Sequence, residues 1–504
     1  MTTAAASPDN PSSDYLAMKP YWTMVEAILQ GAQAMREAGV AYLPEFPGED
    51  DKDYAYRLAN AKFTNLFADI VSNLASKPFA EKVALDESAP EDIAGFAEDI
   101  DGRGNHIHVF AAETFFAGIC NAIDWILVDY TTVQPGATLA QERAAGARPY
   151  WVRVPANRML AVYTATIEGR EEIVHARMKE DLVERDGFKE TTVERVRIFN
   201  REELIDEAGN TIGWGPATFQ VLRRKTGTRR TASSWEIEAE GELTIGVIPL
   251  VPFITGRRIG AGWRFIPPMQ DAANLQIEHY QQETKLKCAM DRTAFPLLAA
   301  EGVEPDRDGS GAPKPIRIGP GAVVYAPPYG DNGNHGEWNW KEPDAGSLKF
   351  LAEQINVCEQ QMRELGRQPL TAQQGITVVS AAYAGQKASN AVQAWAWALK
   401  DALEQALVLT ARWLNRTEQP TVSIFTDFAL EIGEDKGPDV LTKARATGDI
   451  SQETFWSELK RRNILSADFD PEEERQRLED EMPDPDAEAD MIAAAGGRPD
   501  PVPA

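Results

Sequence analysis

The stretch RELGRQPLTAQQGITVVSAAYAGQKASNAVQAWAWALKDALEQALVLTARWL, residues Arg363 to Leu414, contains two helical patterns joined by a polar linker. The first pattern stops at Gly366, and small or polar residues follow before the second begins. The linker includes Pro369 and the pair Gln373 and Gln374, and it contains no acidic residue. Packing alone gives no reason for such a linker between two strong helices, so we expect it to have a functional role.

The residues on either side of this linker predict two long helices. Before it, from about Asp344, apolar residues recur every three or four positions, a spacing that packs one helix along another. These residues are Leu348, Leu351, Ile355, Cys358, Met362 and Leu365. After the linker the pattern continues to Leu414, and at 1.5 Å per residue such a helix would span roughly 55 Å. Its predicted buried face comprises Val392, Trp395, Leu399, Leu403, Leu407 and Leu414.

Upstream of these helices the chain changes its periodicity twice. Residues 16–124 show amphipathic helical spacing. Residues 125–265 contain short, alternating, β-branched segments separated by turn signals, which predict antiparallel strands. A helix is then predicted over 266–293, and residues 294–343 are rich in glycine and proline with short strand patterns. Together with helical patterns over 431–481, this order predicts an α+β fold that is mainly α.

The composition limits the possible classes of function. The chain has 504 residues and a formal net charge of −27, whereas proteins that grip nucleic acid over a large area are basic. An acidic surface remains compatible with a conduit, because weak contact with phosphates lets DNA slide. Three widely spaced cysteines argue against a disulfide framework or a cysteine-based zinc site and suit a reducing compartment.

Both ends of the chain have compositions that are typical of disorder. Residues 1–15 are rich in serine and proline without a signal-peptide pattern, and residues 482–504 are acidic and proline-rich, so both are predicted to be disordered. No apolar run approaches the roughly 20 residues that a membrane-spanning helix needs.

Motifs for catalysis or metal binding are weak in this sequence. The clustered histidines are His106 and His108, which could share a metal on a strand but diverge on a helix. Their surroundings are helical, which favours solvated or helix-start histidines. No HExxH, P-loop or GxSxG spacing occurs. The sequence therefore predicts no catalytic residue, no metal and no cofactor, and a metal-dependent hydrolase is the enzyme alternative.

One strongly basic run interrupts the acidic chain. The segment RRKTGTRR is predicted to form a β-hairpin with Gly227 at its tip. Its cations are Arg223, Arg224, Lys225, Arg229 and Arg230. A solvated tip or a contact with an acidic neighbouring subunit is favoured over a phosphate contact, and both interpretations stay open.

The order of helix, β insert, second helix, linker and long helix resembles the core of tailed-bacteriophage portal proteins. The phrases that carry the resemblance are YLPEFPGEDDKDYAYRLANAKFTNLFADIVSNLASKPF, MRELGRQPLTAQQGITVVSAAYAGQKASNAVQAWAWAL and GDISQETFWSELKRRNIL. The first two are similar to segments of a portal-like phage family of formerly unassigned function, and the third to a C-terminal phrase common in portals. The resemblance extends over nearly the whole chain and contains no catalytic signature.

The resemblance implies a portal fold with wing, stem, clip and a short crown. The implied parts are the wing helices (16–124), the wing β region (125–265), the first stem helix (266–293), the clip with a small β insert (294–343), the second stem helix (344–366), the tunnel loop (367–378), a long wing helix and strand (379–430) and a crown-like end (431–481). Tunnel loops of a ring surround the DNA, and uncharged side chains there can bond phosphates only briefly. The implied DNA-facing residues are Arg367, Gln368, Thr371, Gln373 and Gln374.

The resemblance also implies where the protein works and with which partners. It would be a non-enzymatic homo-oligomeric ring, usually of twelve copies, at one capsid vertex of the virion, assembled in the host cytoplasm. Double-stranded DNA would pass through it without sequence specificity. Its protein partners would be the terminase large subunit, a head–tail adaptor and the major capsid protein, with no membrane involved. Another phage structural or adaptor protein is the alternative.

Overall fold

The computed structural model describes most of the chain between residues 7 and 481. The described ranges are 7–86, 89–131, 146–225, 234–293, 297–301, 309–311, 323–326, 337–341, 346–365, 378–426, 436–461 and 469–481, with a few isolated positions between them. In these ranges the fold is α+β, as predicted, with more helix than strand. No helix there is long and apolar enough to cross a bilayer. The chain divides into two compact units, Met1–Ala429 and Leu430–Ala504.

The helices of the first unit begin at residues that cap them. Ser12 accepts a hydrogen bond from the backbone of Tyr15, and Asp50 and Asn65 cap two later helices in the same manner. The α-helices are α1 (Ser13–Gln30), α2 (Ala32–Ala38), α3 (Asp51–Ala59), α4 (Leu66–Ser76), α5 (Glu91–Glu98), α6 (Ile107–Asn121), α7 (Gln270–Thr293), α8 (Gly346–Leu365) and α9 (Val378–Trp413).

The strands of the first unit lie mainly between α6 and α7, as the alternating pattern over 125–265 predicts. They are β1 (Ala84–Leu85), β2 (Ile123–Tyr130), β3 (Pro149–Val154), β4 (Met159–Ile167), β5 (Arg170–Lys179), β6 (Leu182–Asp186), β7 (Lys189–Val193), β8 (Arg195–Ile205), β9 (Thr211–Lys225), β10 (Ser234–Glu242), β11 (Leu250–Ile254), β12 (Arg257–Ile259), β13 (Arg264–Ile266), β14 (Leu297–Glu301), β15 (Val323–Ala326), β16 (Glu337–Lys341) and β17 (Val422–Ser423).

These strands form one large antiparallel sheet and several small ones. The large sheet has the order β10-β9-β8-β5-β4, and a three-stranded sheet has the order β11-β2-β3. The pairs β6–β7, β12–β13 and β1–β17 are two-stranded. In the insert between α7 and α8, β14 pairs with β15 in parallel and with β16 antiparallel.

Two hydrophobic clusters form the core of the first unit. The larger one joins the inner faces of α1, α4, α6, α7 and α9 to one side of the β2 sheet. The smaller one lies between the opposite side of that sheet and the large β8–β9 sheet. Alternate residues of β2 pack into the two clusters. Ile126 faces the helices, whereas Trp125 and Leu127 face the large sheet.

The N-terminus is ordered earlier than the predicted disordered segment 1–15 allows. The backbone of Ser12 donates to the Leu160 carbonyl at 2.9 Å, and the hydroxyl of buried Tyr15 donates to the Asn157 carbonyl at 2.9 Å. The prediction was wrong for residues 7–15 because serine and proline composition does not show that a segment packs along a sheet.

The second unit contains three described helices, α10 (Lys436–Thr447), α11 (Gln452–Arg461) and α12 (Pro471–Glu481). Gly448 adopts φ of 79°, which ends α10, and the Ser451 hydroxyl accepts from the backbone of Thr454 to start α11. Trp456 and Phe469 pack edge to face with ring centroids 5.7 Å apart. The tail 482–504, predicted to be disordered, lies outside the described residues.

Candidate functional site

Helices α7 and α8 pack against each other in opposite directions. His279, in the first half of α7, has its Nε2 3.2 Å from Oε1 of Glu359 in the second half of α8. Closer to the start of α7, Leu275 shares a groove with Leu365 at the end of α8. The seam residues Ile355, Cys358 and Met362 are buried as their spacing predicts, whereas Leu365 is exposed.

Burial falls along this helix pair from one end to the other. The first half of α7 is anchored in the core by Ala272, Ala273 and Tyr280, but no side chain described between 285 and 291 is buried. In α8, no side chain described between 346 and 354 is buried. The two distal ends therefore project from the core. The insert with β14–β16 connects these projecting ends.

Buried polar side chains of α7 hold the proximal half of the pair in place. Gln276 accepts from the backbone of Phe67 at the start of α4 and donates to the Thr64 carbonyl, both at 2.9 Å. Glu283 accepts from the backbone and hydroxyl of Thr64, both at 3.0 Å, and pairs with Lys62 at 2.9 Å. Because a buried acceptor left without a donor is costly, this network fixes α7 relative to α4.

Sequence reasoning missed this polar network. Gln276, His279 and Glu283 are spaced three and four residues apart, which is the spacing of a buried helix face. The signal was present in the periodicity. Glutamine, histidine and glutamate are mostly exposed or half-exposed in folded proteins, so their residue types alone do not indicate a buried face.

The proximal end of the pair leads to the linker that opened the sequence analysis. Helix α8 ends at Leu365 and α9 begins at Val378. A groove of about 430 Å³ lies beside the end of α8. The predicted DNA-facing residues Arg367, Gln368, Thr371, Gln373 and Gln374 lie outside the described residues.

Helix α9 runs from this linker into the core and contacts the β2 sheet. Leu399, Leu403 and Leu407 are fully buried, as predicted. Near its end, Thr410 Oγ1 accepts a hydrogen bond from Trp151 Nε1 at 2.8 Å, and Trp413 Nε1 donates to the Val128 carbonyl at 3.0 Å. The long helix is thus fixed at its C-terminal half by both packing and buried hydrogen bonds.

The basic segment lies at the end of the β9–β10 hairpin. Lys225 pairs with Ser234 across the two strands, and Gly227, Arg229 and Arg230 lie outside the described residues. The described cations form the ion pairs Arg223–Glu184, Arg224–Glu194 and Lys225–Glu236. Carboxylates of the same chain therefore already neutralise these three, and neither a phosphate nor a neighbouring subunit is required for that.

The two clustered histidines accept hydrogen bonds from backbone amides. His106 is the N-cap of α6, where its Nδ1 accepts from the backbone of His108 at 3.0 Å. His108 Nδ1 accepts from the backbone of Val83 at 3.1 Å. Within the described residues no group of three or more His, Cys, Asp or Glu side chains is placed to hold a metal ion.

A family model matches the part of the chain just described. Residues 268–414 match the family described as "Domain of unknown function (DUF4055)". The match covers less than a third of the chain, and it begins immediately before α7 and ends immediately after α9. No curated protein matches the chain.

Two solved structures to which this chain shows a distant likeness are chains from particle necks. One is the "Neck of empty GTA particle computed with C6 symmetry", with 11% identity and a TM-score of 0.39, covering 83% of this chain and 96% of that one. The other is the "Neck of native GTA particle computed with C12 symmetry", with 11% identity, a TM-score of 0.38 and the same coverage.

Proposed function

We propose that this chain is the subunit of a phage portal, a ring whose axial channel lets double-stranded DNA enter and leave a capsid. The helix pair α7–α8 carries the proposal. It projects from the core, bears the β insert at its distal end, and leads at its proximal end through a polar, acid-free linker into α9. This is the arrangement that stem, clip, tunnel loop and returning wing helix require.

The charge distribution supports a channel that DNA can slide through. The chain is strongly acidic, and repulsion between exposed charges reaches only about 8 Å at physiological salt. A close-fitting acidic wall therefore discourages lasting contact with phosphates. The linker glutamines Gln368, Gln373 and Gln374 can still hydrogen-bond to phosphates without the long-lived attachment that lysine or arginine would produce.

The proposed role is passive. The ring occupies one capsid vertex of the virion. Its insert 294–343 binds the terminase large subunit and a head–tail adaptor. The major capsid protein surrounds it, and an ATP-driven terminase moves the DNA. The chain itself catalyses nothing and needs no cofactor. A metal-dependent hydrolase is less favoured because the Nδ1 atoms of His106 and His108 accept backbone hydrogen bonds.

Deleting part of the linker tests this proposal. Removal of residues 370–377 is expected to leave ring assembly intact and to impair packaging or retention of DNA in a packaging reaction. The matched control removes the same number of residues from the tail, 497–504, and should package normally. Loss of ring assembly on deletion of 370–377 would show that the linker is a packing element and would contradict its role in the channel.

A further inference from the structure

Two β-ribbons carry apolar residues that are exposed in the described structure. The first, here called the arm, comprises residues 201–215 at the far ends of β8 and β9. β5 pairs with β8 only up to Asn200, and β10 pairs with β9 only from Thr218 onwards. Within the described residues the strands of the arm therefore pair only with each other. Leu204, Ile205 and Ile212 on the arm are 45–67% exposed.

The arm is also acidic. The exposed carboxylates of Glu202, Glu203 and Glu207 form no ion pair within the described residues. The backbone and side chain of Asn210 donate to Asp206 at the turn, which lowers the pKa of that carboxyl and keeps it ionised. An acidic ribbon with exposed leucine and isoleucine is suited to a partner that is both basic and apolar.

The second surface, here called the ribbon face, lies on β12–β13 just before α7. Arg257 pairs across the strands with Ile266, and Ile259 pairs with Arg264. Because side chains alternate along a strand, these four residues share one face. All four are exposed, with Ile259 at 43% and Ile266 at 37%, and neither arginine forms an ion pair in the described structure.

The opposite face of the same two strands is occupied. Phe265 is buried, and the Arg258 guanidinium lies 4.8 Å from the Trp263 ring. The ribbon face is therefore an unpaired cationic and apolar surface in a chain of net charge −27. Its chemistry complements that of the arm.

Adjacent residues of β5 form ion pairs beside the two surfaces. Glu171 pairs with Arg258 beside the ribbon at 2.8 Å, and Glu172 pairs with Arg201 at the base of the arm at 2.7 Å. Successive side chains of a strand point to opposite faces. Two different, complementary patches on one subunit give head-to-tail contacts, which form a ring when the rotation between copies closes and a filament when it does not.

We propose that the arm of one copy docks on the ribbon face of the next copy, with Glu202 and Glu207 beside Arg257 and Arg264. The inference rests on the proposed ring and assigns the surfaces that close it. Leu204, which shares one face of the arm with Glu202, becomes buried against Ile259 and Ile266 of the ribbon face, and the acidic and basic side chains surround them. Since the contact is partly ionic, salt weakens assembly.

A charge swap tests the contact, with assembly followed by analytical ultracentrifugation over a range of protein and salt concentrations. Arg257→Glu with Arg264→Glu, and separately Glu202→Lys with Glu207→Lys, should each raise the protein concentration at half-assembly at least about tenfold. Combining the four changes should restore assembly towards that of the parent chain. The control Lys52→Glu with Lys189→Glu, at exposed lysines of α3 and β7 that belong to neither surface, should assemble like the parent.

A cross-link gives a second measurement that does not depend on charge. In a chain carrying Leu204→Cys and Ile259→Cys, oxidation should produce a ladder of covalent oligomers that neither single variant gives. The parent chain could form rings while charge reversal leaves assembly unchanged and no covalent ladder forms. In that case the proposed contact is wrong and the portal proposal stands. If charge reversal impairs packaging while rings persist, the surfaces serve another partner and the contact is also wrong. A parent chain that stays monomeric contradicts both proposals.

Discussion

The Nε2 atom of fully buried His279 on α7 lies 3.2 Å from Oε1 of Glu359 on α8. His279 also has its Nδ1 3.7 Å from Oε2 of Glu283, one turn further along α7. The imidazole therefore lies between carboxylates of both helices, at the depth where the pair leaves the core. This position makes it a structural link between the proposed stem and the wing.

Replacing that link should destabilise the chain. His279→Ala removes a fully buried ring and the partner of Glu359, and we expect the free energy of unfolding to fall by about 2–4 kcal/mol. Urea unfolding followed by circular dichroism measures the change. Lys285→Ala, on the exposed part of the same helix, should stay within about 0.5 kcal/mol of the parent. Equal effects of the two variants would contradict the burial of His279.

Two helical glycines should respond to alanine in opposite directions. A Cβ on Gly118 of α6 would lie 2.3 Å from Cε1 of Phe253, a buried ring that stacks on Phe115. Gly118→Ala should therefore cost about 1–3 kcal/mol. A Cβ on Gly95 of α5 would meet nothing within 4 Å, so Gly95→Ala should stabilise the chain by about 0.5–1 kcal/mol. Thermal unfolding of the two variants measures both changes in stability. If both substitutions stabilised the chain, or both destabilised it, the packing described around these two glycines would be wrong.

The buried carboxyl of Asp124 should make stability depend on pH. Burial raises its pKa to about 7 from 3.8, although Arg153 partly offsets that effect. The folded state thus holds this proton more tightly than the unfolded state, so stability is lost as pH rises from about 4 to about 7. The whole pKa difference between the folded and unfolded states corresponds to about 4 kcal/mol in the free energy of unfolding.

Asp124→Asn removes this titration. The free energy of unfolding of the variant minus that of the parent should be higher at pH 8 than at pH 4.5, by about 1–4 kcal/mol. Urea unfolding at the two pH values measures the difference. The same relative stability at both values would show that Asp124 is ionised throughout in the folded chain.

Added positive charge in the linker should hinder DNA movement. Gln373→Lys with Gln374→Lys would place cations beside phosphates in every copy, and we expect packaging to slow and the slowing to be relieved by salt. Gln373→Ser with Gln374→Ser keeps the linker polar and neutral and should package near the parent rate. A packaging reaction run at several salt concentrations measures both. Unchanged packaging by the lysine variant would place these residues away from DNA.

The helical framework was predictable because its signal is local. The seam of α8 and the buried face of α9 follow from apolar spacing alone, and the observed Val378 start of α9 lies one residue before the predicted start at 379. The observed limits of α7 and α8, Gln270–Thr293 and Gly346–Leu365, fall within the predicted 266–293 and 344–366. The roles of these helices as stem and wing remain proposals.

The arm and the ribbon face were not predictable because they depend on which strands pair. The segment GVIPLVPFITGRR lies within the strand-rich region predicted over 125–265. The structure divides it at Gly256, so that Leu250–Ile254 pairs with β2 whereas Arg257–Ile259 turns to pair with β13. Similarly, the length of the arm depends on where β5 and β10 stop pairing with the central strands. No residue type marks those points in the sequence.

Imaging of the purified protein tests the central claim most directly. Electron micrographs viewed end-on should show closed rings with an open axial hole, and rotational averaging should give a fixed number of subunits, expected to be twelve. A protein that stays monomeric at high concentration, and in the presence of its capsid partners, would contradict the proposed portal.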